Sequence, residues 1–139
     1  MYSVDERDEV VALEGVPVPD AGAPAPRLAA DEHEARVTYF VRGRDNDPVT
    51  VTFAGLYALA FGPPNDEAFG AHPLADRGLG PYGAFEVRDS SWVRALERLN
   101  RVHPAHRPEA FDRLRHFVVA FHDTTFECVA TSASPAPAV

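Results

Sequence analysis

The chain has 139 residues, 45% of them apolar, and a net charge of −8, which describes about one globular domain with a real core. The acidity is lopsided: positions 1–35 hold nine acids and two arginines, leaving twelve acids and eleven arginines for the rest. A nearly neutral body lacks the positive field that phosphate backbones require, and the longest apolar run, 49–61, is shorter than the roughly 20 residues of a bilayer-spanning helix, so neither nucleic acid nor a membrane is an expected partner.

The opening M-Y-S-V-D-E-R-D-E has neither the basic region nor the apolar stretch of a secretory signal. Cys128, the single cysteine, has no partner for an internal disulfide, so a cytoplasmic location is expected. Every basic residue is arginine, and lysine, isoleucine and glutamine are missing; that bias fits a high-GC genome and carries no functional information. With G-V-P-V-P-D-A-G-A-P-A-P following the acidic start, positions 1–35 read as a mobile Pro/Ala-rich extension whose few apolar groups do not offset the entropy of ordering it. Asp31, Glu32 and Glu34 mark a solvated lead-in.

R-V-T-Y-F-V-R, 36–42, alternates Val37, Tyr39 and Val41 with Arg36, Thr38 and Arg42 and so predicts a strand. A turn at G-R-D-N-D-P leads to V-T-V-T-F-A-G-L-Y-A-L-A-F, in which Val49, Val51, Phe53, Tyr57, Leu59 and Phe61 keep one parity around Gly55. That pattern predicts one long strand bent or bulged at the glycine. From 62 to 83 four prolines and five glycines break any regular element. Loops of this length in compact domains often carry function, and the polar candidates here are Asn65, Asp66, Glu67, His72, Asp76, Arg77 and Tyr82. The plainer reading is a cover over a sheet face, pegged by Phe69, Leu74 and Leu79.

A short strand at 84–88 precedes a helix over about 91–102, capped by Ser90 or Ser91. Trp92, Ala95, Leu96, Leu99 and Val102 fall on one face, with Arg94, Glu97, Arg98 and Arg101 on the other. H-P-A-H-R-P ends the helix, and Pro108 starts a short turn of helix toward Leu114. R-H-F-V-V-A-F-H-D-T-T-F-E-C-V-A-T then reads as a β-hairpin over about 116–131. A two-residue turn at Asp123-Thr124 opposes His122 to Thr125 and Phe121 to Phe126. Phe117, Val119, Phe121, Phe126, Cys128 and Ala130 then share one face; His116, His122, Thr125 and Glu127 lie on the other. The last residues, 132–139, read as a disordered tail.

F-G-P-P-N-D-E, H-P-L, S-S-W-V-R and the closing R-H-F-V-V-A-F-H-D-T-T-F-E-C-V-A resemble a group of small bacterial proteins of unassigned function that end in F-H-D-S-T-F-E-C. The resemblance covers roughly 50–130 and implies that the loop and the hairpin belong to one unit. It implies no activity. At Gly70 to His72 the chain has G-A-H-P-L where the group has G-H-P-L.

The chemical lead is His122 with Glu127, diagonal neighbours in that register, where a carboxylate orients an imidazole for acid/base work. Asp66, Glu67 or His72 join them if the loop folds over that face; otherwise the pair only pins the hairpin, with Asp123 as a turn residue. His103 and His106 are close, but the proline between them makes a poor metal signal, and no zinc or phosphate-loop motif is present, so neither metal nor cofactor is expected. Cys128 on the apolar face reads as an inert core thiol.

These elements predict an α+β domain over 36–131: a mainly antiparallel sheet of about five strands, with the helix packed through Trp92, Leu96 and Leu99 on the apolar face of the hairpin. Three functions stay open. One is a binding or accessory protein that engages a small molecule or protein partner through Asn65, Asp66, Glu67, His72, Arg77 and Tyr82 and the second face of the hairpin. Another is an acid/base enzyme using His122 and Glu127, and the third a protein that self-associates through a sheet edge.

Overall fold

The computed structural model of the chain describes residues 2–22, 25–44 and 47–138. Among these residues the chain is α+β, with nine strands in two antiparallel sheets and one α-helix. The first sheet contains β1 (Glu9–Ala12), β6 (Gly83–Arg88), β7 (Arg115–Ala120), β8 (Thr125–Ala130) and β5 (Ala58–Gly62), side by side in that order. The second contains β2 (Arg27–Ala30), β3 (Glu34–Phe40), β4 (Pro48–Ala54) and β9 (Ser132–Pro137). The α-helix, α1 (Ser91–Asn100), joins β6 to β7. No helix among the described residues is long and apolar enough to cross a membrane.

Alternation along β3 and β4 buries Ala35, Val37, Tyr39, Val49, Val51 and Phe53, and these meet the apolar face of β7 and β8 to form the main core. Phe53 packs 5.4 Å from Phe117 and 4.9 Å from Phe126, ring centre to ring centre, and Tyr39 lies edge-on to Phe121. The expected partner of that face was the helix. The second sheet takes the position instead, leaving Leu99 72% and Val102 92% exposed.

The expected long strand over 49–61 is two strands in different sheets. Gly55, at φ +65°, turns the chain out of β4 toward β5. Beside it, Thr131 turns β8 into β9. The two crossings touch: the Thr131 amide and hydroxyl both donate to Ala54 O, at 2.9 and 3.0 Å, and Tyr57 N–H donates to Val129 O at 2.8 Å. A Cβ on Gly55 would collide with the Thr131 side chain, so glycine is required for the approach as well as for the dihedral angle.

Both expected loose ends belong to the sheets. Residues 9–12 pair with β6, 27–30 with β3, and 132–137 with β4. Composition misleads here because β9 is an edge strand, where Pro135 and Pro137 cost no ladder hydrogen bond. The acidic opening is held by charge: Asp5 accepts from Arg94 at 2.7 and 2.9 Å, and Asp8 accepts from the Ser91 amide at the start of α1, at 2.7 Å, where the helix dipole favours an anion. The turn expected at 43–48 includes residues 45 and 46, which lie outside the described residues, as do 23 and 24 in the Pro/Ala segment.

The loop between β5 and β6 covers the second face of the first sheet. Two 3-10 turns, Phe69–Ala71 and Ala75–Arg77, order it. Phe69, Leu74 and Leu79 press onto Val87, Val118 and Ala120.

Candidate functional site: a buried carboxylate beneath an apolar cleft

The hairpin turn sits one residue earlier than expected, at His122-Asp123, with Phe121 N–H donating to Thr124 O at 2.9 Å. Moving a two-residue turn by one position shifts the pairing by two, so the faces survive while the neighbours change. Glu127 opposes Val118, and His116, opposite Val129, becomes its diagonal neighbour. The expected His122–Glu127 pair is therefore not made, and the two residues belong to separate networks.

Glu127 lies in the interior with its side chain 3% exposed. Its Oε1 accepts from the Tyr2 hydroxyl at 2.6 Å and from His116 Nε2 at 2.8 Å; its Oε2 accepts from His72 Nε2 at 2.7 Å. Both histidines are fixed from behind. His72 Nδ1 accepts from the Leu74 amide at 3.0 Å, which leaves the proton on Nε2. His116 Nδ1 lies 2.8 Å from Ser90 Oγ. Ser90 caps α1 by accepting from the amides of Trp92 and Val93, so its hydroxyl proton is free to donate to His116. Trp92 stacks on Tyr2 and meets His116 edge-on. Burial alone pushes the Glu127 carboxyl up, but the hydrogen bonds from His116 and His72 outweigh it and hold the group down at about 2. Burial and then the adjacent Glu127 charge push the Tyr2 hydroxyl far up, keeping it a donor.

Above this network lies a cleft of about 640 Å³, within the range of small-ligand sites. Its floor is His72 and Glu127, and its walls are aliphatic, from Pro63, Pro64, Ala68, Ala71 and Pro73. Asn65 and Asp123 also line it. The cleft lies where the loop passes the second face of the hairpin. A second hollow of about 560 Å³ at the sheet-crossing corner, lined by Gly55, Tyr57 and Phe111 among others, has no buried ionisable side chain.

The other expected residues divide. Asn65 and His72 line the cleft, and Asn65 Oδ1 also accepts from the Ala68 amide at 2.9 Å. Asp66, Tyr82 and His122 meet at the surface. His122 Nδ1 lies 3.0 Å from Asp66 Oδ2 and 2.7 Å from the Tyr82 hydroxyl, which donates to Asp66. That bond holds the Asp66 carboxyl below its usual range and pushes the Tyr82 hydroxyl up to about 12. Arg77 donates to the carbonyl of Asp5 at 2.6 Å and clamps the N-terminal segment; Glu67 is exposed. His103 and His106 have separate partners, the Ala105 amide and the Asn100 amide group, and no set of three His, Cys, Asp or Glu among the described residues is arranged to hold a metal. Cys128 is buried, and burial pushes its thiol well up.

Sequence reasoning missed Tyr2, Ser90 and the pairing of His116 with Glu127. For His116 a signal existed: it shares the face of Glu127 in either register. Tyr2 and Ser90 reach the site only through tertiary packing. No protein-family model matches the chain, and neither a curated protein nor a solved structure matches it.

Proposed function

We propose that this is a small cytoplasmic ligand-binding protein, and that its ligand is a compact, mostly apolar molecule seated in the cleft over Glu127 and His72. The observation that carries the reading is a buried carboxylate beneath aliphatic walls, with every nitrogen of its two histidine partners already engaged. An acid/base catalyst needs a free lone pair or a proton of matched affinity. His72 and His116 offer no free nitrogen, and a carboxylate held near 2 is a weak base at neutral pH. Such an arrangement favours a fixed charge that orients a ligand over a group that shuttles protons.

The test is solvent mapping of the 15N-labelled protein by NMR with cyclohexanol at millimolar concentration. Amide shifts are expected to concentrate at Asn65, Ala68, Ala71, His72, Asp123 and Glu127. Shifts centred on the Tyr57–Phe111 corner, or scattered over the surface, refute the reading.

A further inference from the structure

Resting on that reading, we infer that the ligand is an amine: a protonated primary or secondary ammonium on a compact hydrocarbon body, its N–H donated to Oε2 of Glu127. A carboxylate oxygen takes about two hydrogen bonds in its plane. Oε1 has two, from Tyr2 and His116, whereas Oε2 has one, from His72. One acceptor position on the carboxylate of Glu127, a residue that lines the cleft, is therefore unfilled by any group among the described residues, and a cationic donor entering the cleft can fill it with a charge-assisted bond.

The charge of the cleft decides between a neutral donor and a cation. Among the described residues its acidic lining groups are Glu127 and Asp123, and no arginine lines it, although the chain is rich in arginine. Low-dielectric walls focus that negative field onto whatever enters, so an anion is repelled and an ammonium gains a charge-assisted bond. The walls decide the rest of the molecule. Apart from Asn65 and Asp123, the walls are proline and alanine, whose aliphatic surface has no side-chain donors or acceptors, so the body is mostly hydrocarbon.

Three probes of matched shape test the inference by NMR titration: cyclohexylmethylamine, cyclohexylmethanol and cyclohexanecarboxylate at neutral pH. The amine is expected to bind at least tenfold more tightly than the alcohol, and the carboxylate to leave the cleft amides unshifted. Equal or tighter binding of the alcohol, or any binding of the carboxylate in the cleft, overturns the amine assignment while leaving the cleft reading intact. If none of the three shifts the amides of residues 63–73 and 123–127, the cleft reading itself fails and the assignment falls with it. Because Glu127 also holds the fold together, the companion variant is Ala71→Trp, at an exposed wall position. It fills the cleft and is expected to abolish amine binding; unchanged amine affinity in that variant would mean attraction to the acidic surface and would overturn the assignment.

Discussion

Replacing Glu127 by glutamine removes one charge and almost no volume. The wild-type carboxyl titrates near 2 instead of its usual 4.5, and that gap is worth about 3 kcal/mol in favour of the ionised form after its burial is counted. Glutamine is a neutral stand-in for the protonated acid, so about 3 kcal/mol is the first part of the loss. Geometry supplies the second. If the amide oxygen takes the place of Oε1, its NH2 faces the Nε2 proton of His72, and moving that proton to Nδ1 sets it against the Leu74 amide. With the amide reversed, the NH2 faces Tyr2 and His116, and His116 is relieved only by placing a proton on the side of Ser90, already a double acceptor. Either orientation leaves one buried donor unpaired, at about 1–3 kcal/mol. The expected loss is about 4–6 kcal/mol, a large share of a typical domain stability of about 5–15 kcal/mol. Urea unfolding followed by the fluorescence of Trp92, the single tryptophan and a neighbour of Tyr2 and His116, measures it directly. A loss below about 1 kcal/mol would refute the account of Glu127 as the charge that organises the second sheet face.

The same carboxyl predicts an acid limb. Its folded value lies below its unfolded one, so its contribution is complete above about 4.5 and is lost as pH falls through about 2; the stability gap between wild type and Glu127→Gln is expected to narrow across that window, and a constant gap would sink the assignment. Gly55→Ala is expected to cost at least about 2 kcal/mol, from an alanine at positive φ and from collision with Thr131. Adding Thr131→Ala should return part of that loss in urea unfolding, whereas simple additivity of the two changes would show that the crossings do not press on each other.

Local pattern revealed the elements that bury one face. Alternation in 36–42 and 49–53, the Ser90 cap and the apolar side of the hairpin are all in place, because each depends only on near neighbours and on a period of two or 3.6. The pegs Phe69, Leu74 and Leu79 were legible for the same reason: apolar residues spaced through a loop need a surface to cover. What stayed hidden depends on distant partners. Nothing local distinguishes a bulge at Gly55 from a change of sheet, because the deciding contact is Thr131, more than seventy residues away. The prolines of 132–137 look disordered until β4 is known to offer an edge. The acids of 1–8 look solvated until Arg94, Arg77 and the start of α1 are placed beside them. At the candidate site the parity of His116 and Glu127 was legible, while their adjacency turned on one residue of turn placement. Tyr2 was invisible because nothing in the pattern ties residue 2 to residue 127.

The order in which strands are made differs from the order in which they are needed. β7 and β8 occupy interior positions of the first sheet, and β9 flanks β4 in the second, yet all three lie between residues 115 and 137. During synthesis β5 has no partner strand and β6 has only β1, and the inner face of β3 and β4 has nothing to cover it. Contacts this remote in sequence make folding slow, because loop closure is paid before any pairing rewards it. The emerging chain thus carries Val37, Val51 and Phe53 uncovered until its last strands leave the ribosome, a window in which aggregation competes with folding.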